Sequence, residues 1–335
     1  MKAMQLIVPR PIDDRPLSLV DAPPPRPGPR DVLIRVAACG VCHTDLHLVE
    51  GELPMEGSPR IPGHQVVGRI VERGAKAHRF EIGERIGVAW LHQTCGTCDY
   101  CRDGRENLCD AARFSGWHVD GGYAEFARVP EAFAYAIPDV FSDIQAAPLL
   151  CAGIIGYRAL RRAEVRPGQR LGLYGFGASA HLAIQIARRW NCEVFVFSRS
   201  ETHRELARRL GAAWTGPADD TPPAPLDSAV IFAPAGKLVP LALRSLARGG
   251  TLALAGIHMS AIPALDYAEH LYGERTLRSV ANATRRDGEE FLALAAQVPI
   301  HVAAQTFPLD QANTALQLLK CGGIDGAAVL QIPSD

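Results

Sequence analysis

Arg170-Leu-Gly-Leu-Tyr174-Gly175-Phe176-Gly177-Ala178-Ser179-Ala180 runs from a short apolar strand through a glycine turn into a helix. It fits G-x-G-x-x-G/A, in which the first glycine (Gly175) makes the tight turn and the second (Gly177) admits a pyrophosphate. The small residue at Ala180 lets helix and strand approach closely. The helix N-terminus, with free N–H groups and a favourable dipole, then faces the anion. Alone the motif is weak, because glycine turns between strand and helix are common. Its strand–turn–helix context makes it a dinucleotide fingerprint. The next strand, Glu193 to Phe197, leads into Ser198 and Arg199, 23 and 24 residues after Gly175. An acid is expected there to hold the ribose 2′-hydroxyl of NAD. Ser198 removes that charge, and Arg199 offers a planar donor fork suited to a 2′-phosphate. The pair favours NADP over NAD, with Arg199 as a plain solvated side chain the alternative.

Outward from this loop the chain alternates strand and helix. Helices are expected at 152–163, 178–190, 201–210 and 238–246, and strands at 170–174, 193–197, 229–232 and 251–255. That alternation predicts a doubly wound parallel sheet, an α/β class domain over 153–288. Residues 1–152 read differently, with many Gly and Pro and short strands expected at 31–38, 66–72 and 84–89. This predicts an irregular β domain, rejoined by 289–335, whose last strand is 327–332.

Net charge is −1 over 335 residues, so no electrostatic footprint for nucleic acid or an anionic membrane exists. Arg10, Asp13, Asp14 and Arg15 interrupt any apolar leader, and no apolar run reaches membrane-spanning length. Nine cysteines without a secretion signal suggest a reducing compartment, the cytoplasm, and thiols kept for metal.

Four of the nine, Cys95, Cys98, Cys101 and Cys109, form C-x2-C-x2-C-x7-C inside a lobe at about 91–112. Four thiolates can close a tetrahedron round Zn²⁺ with no open position, which makes a structural site. The long last gap without a following proline argues against an iron–sulfur cluster. Disulfides are the other reading, less suited to this compartment. A second set is scattered: Cys42 in Cys39-Gly-Val-Cys42-His43-Thr44-Asp45-Leu46-His47, His64 in Pro62-Gly63-His64-Gln65, and Cys151. Two thiolates and an imidazole would leave a fourth zinc position open. Taken singly, each is as readily a buried small apolar residue or a hydrogen-bonded histidine.

Together, Cys39-Gly-Val-Cys-His-Thr-Asp, Pro62-Gly-His, the four-cysteine lobe and Gly175-Phe-Gly resemble the zinc-dependent medium-chain alcohol dehydrogenases, end to end. The resemblance implies a GroES-like catalytic domain interrupted by a Rossmann domain. It implies two zinc ions, a catalytic one on Cys42, His64 and Cys151 and a structural one on the lobe. Asp45 would orient His64, Thr44 and His47 would form a proton relay, and His43 would lie near the pyrophosphate. Trp90, and with it Trp117, would narrow the pocket toward small primary alcohols. The implied chemistry is hydride transfer from the alcohol carbon to C4 of the nicotinamide, with the metal acidifying the hydroxyl. Aldehyde reduction is the reverse. A homodimer or homotetramer is implied.

Two positions depart from that pattern. Gln65 stands where the family has glutamate, which would leave the metal more electropositive unless a neutral isostere serves equally. Gly326-Ala327 stands where relatives carry Gly-Arg, so Arg285 is the candidate to replace that pyrophosphate contact. Two other readings remain: a quinone or enoyl reductase of the same superfamily, whose members lack both zinc sites, and a non-catalytic zinc- and dinucleotide-binding sensor.

Overall fold

The computed structural model describes residues 1–298, 300–324 and 326–333. The chain divides into two compact units, one formed by Met1–Cys151, Thr284–Ala293 and Val302–Asp335, the other by Ala152–Ala283 and Leu294–His301.

The first unit is built on a seven-stranded sheet. Its order is Ala304–Pro308, Ala327–Gln331, Asp31–Val41, Gln65–Arg73, Arg85–Val88 and Ala134–Ala136, with Phe126–Pro130 also paired to Asp31–Val41. The long strand Asp31–Val41 alternates Val32, Ile34 and Val36 into the core, all fully buried. It pairs antiparallel with Gln65–Arg73, in a register that sets Gly40 opposite Gln65. This places residues 42 and 64 at the same end of one strand pair. The sequence did not foresee the hairpin Lys2–Leu6 with Leu17–Asp21, whose alternation is broken by the intervening prolines. Among the described residues no helix is long and apolar enough to cross a membrane.

The second unit holds a six-stranded, all-parallel sheet in the order Trp214–Gly216, Glu193–Phe197, Arg170–Tyr174, Leu226–Ile231, Leu246–Leu254, Thr276–Ser279. Numbered along the chain this is 3-2-1-4-5-6, the doubly wound dinucleotide-binding order, with its switch point between Arg170–Tyr174 and Leu226–Ile231. The inner strands read as unbroken apolar runs because both faces are covered. Tyr174 and Phe197 stack at 4.0 Å between centroids within this core. Strand 226–231 begins earlier than the sequence suggested. Strand 246–254 likewise runs through Arg248-Gly249-Gly250, which resembles a turn.

The helix expected at 152–163 is found as Ile154–Arg162, and two further helical segments run into it without a break. Asp143–Pro148 is capped at Ser142, whose Oγ accepts from Gln145 N at 3.3 Å. A π-helical turn follows over Leu149–Gly153, and Ile154–Arg162 completes the run. Pro148 has no N–H to give, which marks the boundary between the first two segments.

Candidate metal centre and active site

The strand register delivers Cys42 and His64, and a carboxylate between them fixes both. Cys42 is the N-cap of the helix His43–Val49, with extended backbone (φ −140°, ψ 177°). Its Sγ accepts from Thr44 N at 3.4 Å, while its own N–H donates to Asp45 Oδ2 at 3.0 Å. The other oxygen of Asp45 accepts from Gly63 N at 3.2 Å and from His64 Nδ1 at 3.0 Å. With Nδ1 so committed, His64 turns Nε2 toward Cys42 Sγ, 3.3 Å away. Cys151 arrives from the π-helical turn, a distortion that recurs at functional sites. The three donor atoms lie within 4.8 Å of one another.

Burial works against a charged His64, but Asp45 and then Cys42 outweigh it and hold the imidazole well above its ordinary pKa. The neighbouring Cys151 thiol, together with burial, pushes the Cys42 thiol up as well. A metal must displace these protons, so its uptake strengthens as pH rises. Two sulfurs and one nitrogen with a fourth direction open fit the donor set of catalytic zinc. Replacing Asp45 by asparagine is expected to weaken zinc at this centre about 10- to 100-fold. Competition with a chelator measures it, and the four-cysteine lobe should be unaffected.

That lobe is closed at its base by the antiparallel strands Leu91–Gln93 and Arg113–Phe114. Cys95 Sγ lies 3.9 Å from Cys101 Sγ and 3.6 Å from Cys109 Sγ. A tetrahedron with Zn–S near 2.3 Å has edges of about 3.8 Å, so the sulfurs stand where a metal needs them. All nine cysteines are free, and one donor atom from each of the four lobe cysteines lies within 4.8 Å of the others. The N–H groups of Thr97 and Cys98 point at Cys95 Sγ, at 3.5 and 3.3 Å, and lower its thiol pKa to about 6. Glu106, in the same lobe, is buried and accepts from both Arg285 N (3.0 Å) and Arg285 Nε (3.1 Å). Arg285, suggested for a pyrophosphate contact, instead pairs through Nε with Glu106 and lays its guanidinium over Phe133, with the side chain 40% exposed.

Beside the Cys42–His64–Cys151 cluster, Thr44, His64, Leu48, Leu53, Trp90, Ser115 and Trp117 line a tight pocket. Trp90 stacks on Phe114 at 4.3 Å and lies nearly parallel to Trp117, 6.0 Å away. Trp117 donates from Nε1 to the Pro54 carbonyl at 2.8 Å. The sequence reading missed Phe114, which stiffens this wall from behind, and Leu48, Leu53 and Ser115. Phe114-Ser-Gly-Trp117 was the available signal, an aromatic pair across a turn. Gln65 is buried and its side chain lies against Gly40. His43 and His47 sit on one face of the short helix, their rings 6.4 Å apart. Burial, and secondarily His47, lower the pKa of His43.

In the second unit, Gly175 has φ +87° and a Cβ there would come within 3.0 Å of Ala233 N, so only glycine serves. Gly177 faces open space. It is the N-cap of helix Ala178–Arg189 and has no side chain to cap it, so the first N–H groups remain available to an anion. Ala180 is fully buried. Ser198 is buried at the strand end and accepts from Ser200 N, whereas Arg199 is exposed.

Residues 28–139 match the alcohol dehydrogenase GroES-like domain and residues 180–297 the zinc-binding dehydrogenase domain. The chain is 52% identical to the probable alcohol dehydrogenase AdhA of Mycobacterium tuberculosis, over 99% of this chain and 97% of that one. It is 34% identical to an alcohol dehydrogenase of Geobacillus stearothermophilus, over 95% and 97%. Among solved structures, the cobalt- and zinc-bound thermostable alcohol dehydrogenase of Pyrobaculum aerophilum superposes with TM-score 0.89 at 27% identity, covering 99% of each chain. The Helicobacter pylori CAD complexed with NADP(H) superposes at 0.87 and 26%, again over 99% of each. With the GroES-like and zinc-binding dehydrogenase domains both matched and the likeness running the length of the chain, this protein belongs to the zinc-dependent medium-chain alcohol dehydrogenase family.

Proposed function

We propose that this enzyme oxidises small primary alcohols, or reduces their aldehydes, using zinc and NADP(H). The convergence of Cys42, His64 and Cys151 beside a pocket walled by Trp90 and Trp117 carries the reading. Zinc held there would supply Lewis acidity, lowering the pKa of the substrate hydroxyl. The remaining work falls to the chain. Asp45 holds His64 in one tautomer and one orientation. Thr44, in the pocket wall, receives the hydroxyl hydrogen bond, and His47 passes the proton on. The tryptophans wall the site against water and against bulky substrates. The lobe cysteines would hold a second zinc for structure alone. Free cysteines throughout suit a cytoplasmic setting.

NADP is favoured by the serine in the place of the 2′-hydroxyl-binding acid and by the exposed Arg199 beside it. The unit that contains them carries 16 Lys and Arg against 10 Asp and Glu, a balance that attracts an anionic coenzyme. The test is the initial rate of short primary alcohol oxidation, followed at the nicotinamide absorbance with each coenzyme. A higher kcat/KM with NADP is expected. Arg199→Ser should cut that preference about tenfold, the value of a partly solvated charge-assisted contact. Equal use of NAD by the unaltered enzyme would refute the coenzyme assignment.

A further inference from the structure

The helix that begins at Cys42 ends in a turn that folds back onto His47. Glu50 closes it, donating its N–H to Leu46 O, and Gly51 takes φ +83° to reverse the chain. The reversal brings the N–H groups of Glu52 and Leu53 onto the carbonyl of His47, at 2.8 and 3.1 Å. The main chain thus places Glu52 beside the His47 ring, and Oε2 of Glu52 is hydrogen-bonded to His47 Nδ1. The turn is itself anchored. Glu50 Oε1 accepts from Ile12 N at 3.0 Å and from Lys320 Nζ at 2.9 Å.

A carboxylate at neutral pH only accepts hydrogen bonds, so the shared proton belongs to Nδ1. We propose that Glu52 is a positioning residue of the proton path, holding His47 in its Nδ1–H tautomer so that Nε2 is the ring's acceptor. The ring takes one proton at Nε2 and later gives one to water, ending neutral, while Nδ1 keeps its partner throughout. The same device operates at His64, where Asp45 holds Nδ1 and frees Nε2 for metal. Glu50 also faces His47 electrostatically, but only Glu52 hydrogen-bonds its ring nitrogen Nδ1 among the contacts described. Glu50 is already paired with Lys320, and Asp13 lies 3.5 Å from that same lysine. His43 is a further titratable neighbour, its ring 6.4 Å away. The inference rests on the reading of His47 as a proton acceptor, and the test separates the two.

The decisive measurement is two-bond ¹H–¹⁵N correlation on histidine-labelled enzyme, with His47 assigned from the His47→Gln variant. The expected result is an Nδ1–H ring that reverts toward Nε2–H in Glu52→Ala and is restored in Glu52→Gln, whose amide oxygen can still accept. Alcohol oxidation should follow: kcat falls about fivefold in Glu52→Ala and is largely recovered in Glu52→Gln. Glu52→Ala added to His47→Gln should cost nothing more, because its effect passes through the ring. An Nε2–H ring in the unaltered enzyme, or a cost that persists without His47, overturns the proposal. A His47→Gln enzyme as fast as the unaltered one overturns the relay reading, whatever the spectra show.

Discussion

Replacing Cys151 by alanine is expected to lower kcat/KM for alcohol oxidation at least a thousandfold while the protein stays folded. The magnitude follows from the metal's share of the barrier. Lewis-acid stabilisation is worth several kcal/mol, and about 4 kcal/mol corresponds to about a thousandfold. With one thiolate gone, Cys42 and His64 cannot hold zinc against water and chelators. Metal analysis should therefore show one equivalent lost, the lobe retaining the other. The fold should survive because Cys151 occupies a single turn between two helices and is only half-buried. An alanine variant that kept both metal equivalents would show that Cys151 is not a ligand. One that lost zinc yet kept full activity would show that the chemistry lies elsewhere.

The second large effect is expected at Cys109→Ala, and it is structural. Between Cys95 and Cys109 only Glu106, Asn107 and Cys109 are buried, so the lobe has almost no apolar core of its own. Its order depends on the four sulfurs closing round a metal, as in small zinc modules that are unfolded without it. Removing one sulfur should release that metal equivalent and open the segment locally, leaving the rest of the chain folded. Limited proteolysis within 95–112 should accelerate about tenfold or more, because cleavage then needs only local opening. The Glu106–Arg285 pair retains the lobe's far end and limits the damage. Undiminished metal content and unchanged cleavage would refute a metal-built lobe.

How much of this could be read from the chain depends on the range over which each feature is encoded. The nucleotide loop was legible because it is local: a strand, two glycines and a helix start within a dozen residues. The apolar runs 170–174 and 193–197 are likewise self-evident, both faces being covered. Strand 214–216 was missed because three residues, Trp-Thr-Gly, show no period. Cys42, His64 and Cys151 were singled out as a set only through the resemblance to a known family, and the fold brings their donor atoms within 4.8 Å of one another. What brings them together could not be read from the chain, because the register that sets Gly40 opposite Gln65 is a property of two strands. Phe114 and Glu52 were invisible for a related reason: each matters only through the neighbour it touches after a turn has folded back. Arg285 shows the converse. Its charge suggested a coenzyme contact, and its Nε pairs instead with a buried glutamate 179 residues away.

The hydrogen bond from Trp117 to the Pro54 carbonyl bears on how such an enzyme can be redesigned. Trimming Trp117 to admit bulkier alcohols looks like a steric change and nothing more. It would also release the segment that carries Leu53 into the pocket and Glu52 onto His47. On the roles proposed for Trp117 and His47, substrate range and proton release would share this segment, so broadening one risks slowing the other. A smaller residue at Trp90, whose indole nitrogen makes no hydrogen bond, enlarges the same space without cutting that tie.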